Sequence, residues 1–293
     1  MSKLSDNFTR YHKFFSFMLK YGNSDLFKKT TANAFDDASS KNIDQDSFDR
    51  SPEELVEDLK NMGPTYIKLG QLLSTRPDLL PDAYLKKLAT LQDDVPPIPY
   101  EEVHKIVEED LGTRISKAFT TFEEKPIASA SIGQVHYATL RSGRPVAVKI
   151  QRPGIKRKFL DDMDTLQEMA ELAVKHSKIA KKYAIDTVLA ELRRILLNEL
   201  DYFKEQQNLI TLRENLLPYN YLIVPEPIPD YCGSRVLTMD FIDGKKITSL
   251  SPLKQIEVDY APMVDQLVEA YLQQIINDGF VHADPHPGNI QFT

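Results

Sequence analysis

Phe280-Val281-His282-Ala283-Asp284-Pro285-His286-Pro287-Gly288-Asn289-Ile290-Gln291 is the stretch on which the reading of this chain turns. It follows a helical pattern running from about Val258 to Asp278 and leads into Asn289-Ile290-Gln291-Phe292, which reads as the start of a strand. An Asp followed five residues later by an Asn, in a loop stiffened by Pro and Gly, suits phosphoryl transfer. There the protein mainly positions groups and balances charge: Asp284 would orient or deprotonate an attacking hydroxyl, and the Asn289 carbonyl would ligate Mg2+. His282 would brace the loop. The same residue types also build ordinary turns, so the remainder of the chain has to decide between the two.

Composition narrows the choice. With 293 residues, 42% apolar and 27% charged, the chain can bury the core of one large domain or of two lobes. A net charge of −7 argues against a nucleic-acid-binding surface, and no nucleic-acid partner is expected. The single cysteine, Cys232, excludes an internal disulfide and a cysteine-rich zinc site, which suits a reducing, cytoplasmic setting. No apolar run approaches the roughly 18 residues of a membrane span, and no signal peptide is evident.

Upstream, Pro145-Val146-Ala147-Val148-Lys149-Ile150 alternates as a short strand. It closely matches the Val-Ala-Ile-Lys of the third kinase strand, whose lysine binds the α- and β-phosphates. Before it, Pro126 to Leu140 reads as strand, tight loop, strand, with Ala128-Ser129-Ala130-Ser131-Ile132-Gly133-Gln134 as the loop and Arg141-Ser142-Gly143-Arg144 as a hairpin turn. After it, helical patterns run from about Phe159 to Lys181 and from Ile185 to Leu216. The second carries Asn198-Glu199-Leu200-Asp201-Tyr202; one of its carboxylates is expected to pair with Lys149 and the other to lie near the metal. Arg235 to Asp240 reads as a strand leading to a hinge, Phe241-Ile242-Asp243-Gly244, whose backbone could meet an adenine edge; Asp240 is grouped with the nucleotide contacts.

The N-terminal third is helical in pattern. Ser51-Pro52-Glu53-Glu54 is a strong helix start, with Ser at the N-cap and Pro in the first turn. Pro64 opens a second helix through Lys68-Leu69-Gly70-Gln71, in which Lys68 and Gln71 share a face; composition alone would leave both solvated. Two further helices are expected at about Asp82 to Gln92 and Tyr100 to Leu111. Residues 8–22 are basic and aromatic, suited either to an anionic membrane surface or to docking on the body of the protein. Thr30 to Arg50 reads as a polar linker.

These motifs, in this order, resemble the UbiB/AarF group of atypical kinases, protein-kinase-like proteins linked to ubiquinone synthesis. The similarity runs from about Glu53 to the end. Lys68-Leu69-Gly70-Gln71 matches that family's Lys-x-Gly-Gln motif, and Ala128 through Val135 and His136 its alanine-rich replacement for the glycine-rich phosphate loop. Lys149 matches the nucleotide-binding lysine, Glu199-Leu200-Asp201 the Glu-x-Asp motif, and Asp284 and Asn289 the catalytic Asp and metal-binding Asn.

The resemblance implies an α+β, two-lobed protein-kinase-like fold with a helical N-terminal extension and an apparently truncated C-terminal lobe. Its expected parts are an N-terminal helix and polar linker (1–50), the helical extension (51–112), a kinase-like N-lobe with inserted helices (113–240), and the hinge with the start of the C-lobe (241–293). ATP or ADP and Mg2+ would be the cofactors. Asp284, Lys149, Lys68 and Gln71 would take catalytic roles; Ala128, Ser129, Ala130, Ser131, Ile132, Gly133, Gln134, Val135, Lys149, Glu199 and Asp240 would contact nucleotide; Asn289 and Asp201 would hold metal. Lys68 and Gln71 would project toward the nucleotide, which disfavours ordinary protein phosphorylation. A lipid or quinone precursor is the implied substrate, with peripheral contact to the inner membrane surface. Kinases carry a second metal-binding Asp in an Asp-Phe-Gly motif after the catalytic loop. The chain stops at Thr293 before one, so the strand begun at Asn289 is expected to lack its partner and the chain alone to turn over poorly. Two other functions stay open: a small-molecule phosphotransferase of the aminoglycoside or choline kinase type, and a pseudokinase scaffold that binds nucleotide or lipid without turnover.

Overall fold

The computed structural model describes residues 16–17, 20–21, 51–91, 95–176, 185–246, 259–283 and 290–293. In chain order its elements are α1 (Pro52–Met62), α2 (Pro64–Ser74), α3 (Asp82–Leu88), α4 (Tyr100–Leu111), α5 (Ile115–Ala118), β1 (Phe119–Phe122), β2 (Ala128–Ser129), β3 (Gly133–Leu140) and β4 (Pro145–Gln151). Then follow α6 (Ile155–His176), α7 (Ile185–Glu199), α8 (Tyr202–Leu216), β5 (Val236–Asp240), β6 (Lys245–Lys246), α9 (Ala261–Gln273), a π-helical turn Gln274–Asp278, and β7 (Gln291–Phe292). They fall into two compact units: Met1–Pro96 with Ala130–Ile132 and Gly154–Leu200, and Pro97–Ser129 with Gly133–Pro153 and Asp201–Thr293.

The first unit is helical. Ser51 caps α1 by accepting from the Glu54 N–H at 3.2 Å, and Gly63, at φ 107°, ends it in a conformation that a side chain would strain. Leu55, Val56 and Leu59 of α1, Tyr66 and Leu69 of α2, Leu88 of α3, Phe159, Met163 and Leu166 of α6, and Leu192 and Leu196 of α7 share one core. Thr65 of α2 donates to Asp162 of α6 at 2.5 Å, both buried, so a polar tether lies inside that apolar packing. Gly70 is required by packing: a Cβ there would stand 2.4 Å from a Leu91 methyl and 2.9 Å from one of Leu59. Of the basic aromatic stretch, Phe17 packs against this core and Tyr21 is buried, its hydroxyl donating to Asp58 at 2.6 Å, with Lys20 paired to the same carboxylate. For these residues the docked alternative is the one observed; the polar linker lies outside the described residues.

The second unit is built on a five-stranded antiparallel sheet, in the order β1-β3-β4-β5 with β2 on β3. The register places Val135, Lys149 and Leu237 side by side on one face, and His136, Val148 and Thr238 on the other. Val146, Val148 and Ile150 are fully buried against Val103, Ile106 and Val107 of α4, so Lys149 must face away from that core. β1 and the short α5 before it went unread in the sequence. The Phe119-Thr120-Thr121-Phe122 run is brief, and its strand character comes from pairing with β3. Asp110, near the end of α4, fixes the entry to β5 by accepting from the N–H groups of Arg235 and Val236 at 2.8 and 2.9 Å and from the Ser234 hydroxyl at 2.8 Å.

Two expectations need correction. The single helix read from Ile185 to Leu216 is two, α7 and α8, broken at Leu200–Asp201. The strand at Gln291–Phe292 does have a partner, pairing antiparallel with Lys245–Lys246. Among the described residues no helix is long and apolar enough to cross a membrane.

Candidate functional site

Lys149 stands near the end of β4, and its ammonium donates to both carboxylate oxygens of Glu205, at 2.7 and 2.8 Å. Glu205 lies in the first turn of α8, whose start is set by Asp201: at φ −94° and ψ 86° it leaves the helical region, and its Oδ1 accepts from the Lys204 N–H at 3.0 Å. That satisfies one of the N–H groups a helix start leaves unpaired. The Lys149 and Glu205 side chains are 29% and 32% exposed, so water screens the pair and its value lies in position more than in stability. The Lys149 nitrogen also sits over the Tyr202 ring, 4.9 Å from its centroid.

Neither expected carboxylate therefore partners Lys149. Glu199 is the last residue of α7, and its Oε2 lies 3.2 Å from Lys68 Nζ, while Asp201 is exposed and acts as the cap of α8. The cause is the helix break, which turns the chain between the two acids and brings Glu205, four residues past the cap, onto the lysine strand. A signal was present: an Asp inside an apparent helix competes for backbone N–H groups and favours a cap over an interior position.

The Lys-x-Gly-Gln motif is engaged inside the helical unit. Lys68 pairs with Glu199, Leu69 and Gly70 are buried, and Gln71 donates from its amide to the Leu91 carbonyl at 3.1 Å. Both polar side chains, which composition alone would leave solvated, have protein partners.

The alanine-rich loop is shorter than its sequence suggested. Ala128 and Ser129 pair with Val135 and Gln134, leaving Ala130, Ser131 and Ile132 as the turn. Among the described residues Ser131 Oγ is buried and makes no hydrogen bond. Arg152 donates to the Ser129 hydroxyl at 2.9 Å. Gly133 is a glycine because a Cβ would meet the Ile150 carbonyl oxygen at 2.4 Å and the Tyr202 hydroxyl at 3.0 Å.

Gln134, expected to contact nucleotide, is committed elsewhere. It is buried, accepts from the Ile98 N–H at 2.8 Å, and its amide nitrogen lies 2.8 Å from His136 Nε2. His136 Nδ1 is 2.7 Å from the Glu123 carbonyl oxygen. A carbonyl can only accept, so Nδ1 carries the proton, Nε2 accepts from Gln134, and the ring is neutral. Burial pushes the His136 pKa down, consistent with that state. Asp240 is likewise committed: its carboxylate accepts from Arg144 Nε at 2.6 Å and from the Glu226 N–H at 3.3 Å, while Arg144 also donates to Glu226 at 2.6 Å. These two carboxylates raise the Arg144 pKa.

Asp284 and Asn289 lie outside the described residues. The approach to them is described: Gln274, 2% exposed in the π-helical turn, accepts from the His282 N–H at 3.0 Å and donates to the Ala270 carbonyl at 3.2 Å. Sequence reasoning passed over Gln274, which reads as one more polar residue of an amphipathic helix.

A family model described as ABC1 atypical kinase-like domain matches residues 90–293. A Pseudomonas aeruginosa protein named probable protein kinase UbiB is 41% identical over 232 residues, 79% of this chain and 44% of that protein. An Arabidopsis thaliana protein, ACTIVITY OF BC1 COMPLEX KINASE 8, chloroplastic, is 42% identical over 239 residues, 80% of this chain and 31% of that one. Among solved structures, the Rv3197–erythromycin complex from Mycobacterium tuberculosis superposes with a TM-score of 0.50 at 29% identity, covering 81% of this chain and 59% of that chain. The chain thus spans less than half the length of these curated relatives.

Proposed function

This chain belongs to the ABC1 atypical kinase-like family and has a kinase-like α+β fold, and on that premise we propose that it binds ATP or ADP with Mg2+ and works as a phosphotransferase or ATPase supporting isoprenoid-quinone or related lipid metabolism. The observation that carries the reading is the Lys149–Glu205 pair, with the ammonium held on the half-buried face of β4 by both oxygens of one carboxylate. In kinase chemistry a strand lysine fixed by a helix glutamate meets the nucleotide's phosphates.

The residues fit a nucleotide. Within the sheet unit, Lys149, 29% exposed, supplies the cation that phosphates need. For Mg2+, the described residues hold no group of three or more His, Cys, Asp or Glu able to ligate a metal. The residues proposed to hold the metal are Asn289, outside the described residues, and Asp201 as its acidic companion. Mg2+, when bound, offsets phosphate charge. Lys149 would orient the α- and β-phosphates, and Asp284 would accept the proton of the attacking hydroxyl or water.

The quinone or lipid substrate and any peripheral membrane contact rest on the family relationship. The test is a thermal-shift titration with Mg2+–ATP and Mg2+–ADP, followed by phosphate release with phenolic quinone precursors and anionic vesicles added. Wild-type stabilisation that disappears in Lys149→Ala supports the nucleotide site. Equal shifts in the two proteins, or none in either, overturn it.

A further inference from the structure

We propose that Tyr202 is a positioning residue for Lys149, the face of its ring confining the ammonium where a nucleotide's phosphates would meet it. This deepens the nucleotide reading above and rests on it. Tyr202 opens α8, and Glu205 stands three residues on, so both project from the same side of the first turn, the side that meets β4 at Lys149. The ammonium is thus restrained twice: by the Glu205 carboxylate at 2.7 and 2.8 Å, and by the Tyr202 ring at 4.9 Å from its centroid.

The two restraints differ in kind. A carboxylate beside the lysine repels an arriving phosphate and competes with it for the same N–H donors. An aromatic face attracts the cation through its quadrupole while adding no net charge. The ring can therefore keep the flexible lysine in place as Glu205 gives up hydrogen bonds to phosphate. It is well fixed for that task, because Tyr202 is only 1% exposed.

The same side chain reaches the loop. A Cβ at Gly133 would meet the Tyr202 hydroxyl at 3.0 Å, so the phenol end abuts the glycine backbone at the start of β3. One buried residue touches both the lysine and the loop strand, the two elements expected to hold phosphates. In the sequence Tyr202 reads only as an apolar neighbour of the Glu-x-Asp motif.

The test compares the wild-type chain with Tyr202→Phe, Tyr202→Leu, and a chain carrying 3,4,5-trifluorophenylalanine at position 202, which keeps the shape and weakens the quadrupole. One readout needs no nucleotide. Lysines are dimethylated with 13C, and the Lys149 signal is assigned by its loss in Lys149→Arg. The ring current should move it upfield in wild type and Tyr202→Phe, and that displacement should vanish in Tyr202→Leu. The second readout is Mg2+–ATP affinity by calorimetry. Tyr202→Phe should bind like wild type, while Tyr202→Leu and the trifluorinated chain should each lose on the order of three- to thirtyfold.

If Tyr202→Leu does not fold, the near-isosteric fluorinated chain carries the affinity test. A Lys149 signal without the upfield displacement in wild type, or equal affinity for the fluorinated and Tyr202→Phe chains, overturns the proposal. A wild type that binds no nucleotide overturns the proposed function instead, and the ring-current readout still decides whether Tyr202 confines Lys149.

Discussion

Lys68 Nζ lies 3.2 Å from Glu199 Oε2, joining a motif on α2 to the last residue of α7 within one helical unit. Lys68 is 14% exposed and Glu199 36%, so water screens the pair only in part. Removing one partner by Lys68→Met or Glu199→Gln should each lower stability, and a double-mutant cycle in urea should return a coupling of about 1 kcal/mol. A coupling indistinguishable from zero would mean the two charges are solvated independently.

Glu205, rather than either acid of the Glu-x-Asp motif, should control the lysine. Glu205→Ala should weaken Mg2+–ATP stabilisation nearly as much as Lys149→Ala does. Asp201→Ala should cost the helix cap, about 1 kcal/mol of stability, and should weaken ATP binding only when Mg2+ is present. Calorimetry with parallel denaturation curves separates the two effects. Nucleotide binding untouched by Glu205→Ala would contradict the role drawn from the geometry.

Gly70→Ala poses opposing terms. Alanine favours a helix over glycine by about 1 kcal/mol. The added methyl, however, would stand 2.4 Å from Leu91 and 2.9 Å from Leu59 inside a closed core, and overpacking costs about 1–3 kcal/mol. The variant should therefore be less stable than wild type by roughly 1 kcal/mol. A raised denaturation midpoint would show that the leucines can move aside.

Asp110→Ala should be among the more damaging single changes in the sheet unit. It removes an acceptor from the Arg235 and Val236 N–H groups and the Ser234 hydroxyl, at a carboxylate side chain only 8% exposed. Hydrogen bonds to a charged group are worth about 1.5–3 kcal/mol each in context, and two N–H donors would be left unpaired, so a loss of about 3 kcal/mol is expected. Thermal unfolding should show it, and a drop of only a few tenths would overturn the clamp.

His136 should make stability depend on pH. Its folded-state pKa is pushed below the ordinary 6.5 by burial, against a smaller opposing effect of the Glu123 carbonyl. Above that value the ring is neutral in both states and the folded chain bears no penalty. As pH falls below it, the unfolded chain takes up a proton that the buried ring resists, so stability declines until the folded site titrates as well. Stability measured from neutral pH downward should fall less steeply in His136→Phe than in wild type. An unchanged slope would place the titrating groups elsewhere.

Much of the fold was legible in the amino-acid sequence. Local signals needed only neighbours in the chain: Ser51 and Pro52 start α1, the alternation around Val146, Val148 and Ile150 marks β4, and Gly112 at φ 64° ends α4 as a glycine there should. Lys149 was recognisable because its strand pattern and the small-residue loop before it are both contiguous. The order of the motifs was enough to reach the family. What the chain could not disclose was partnership. That Glu205 and Tyr202 meet Lys149, that Glu199 turns to Lys68, that Gln134 is spent on Ile98 and His136, and that Asp110 holds β5 all depend on residues far apart in sequence. Sequence periodicity assigns a residue to a face of its own element. Which opposing group satisfies a buried or half-buried polar atom is settled only when whole elements pack, and here a single helix break at Leu200–Asp201 redirected both acidic partners.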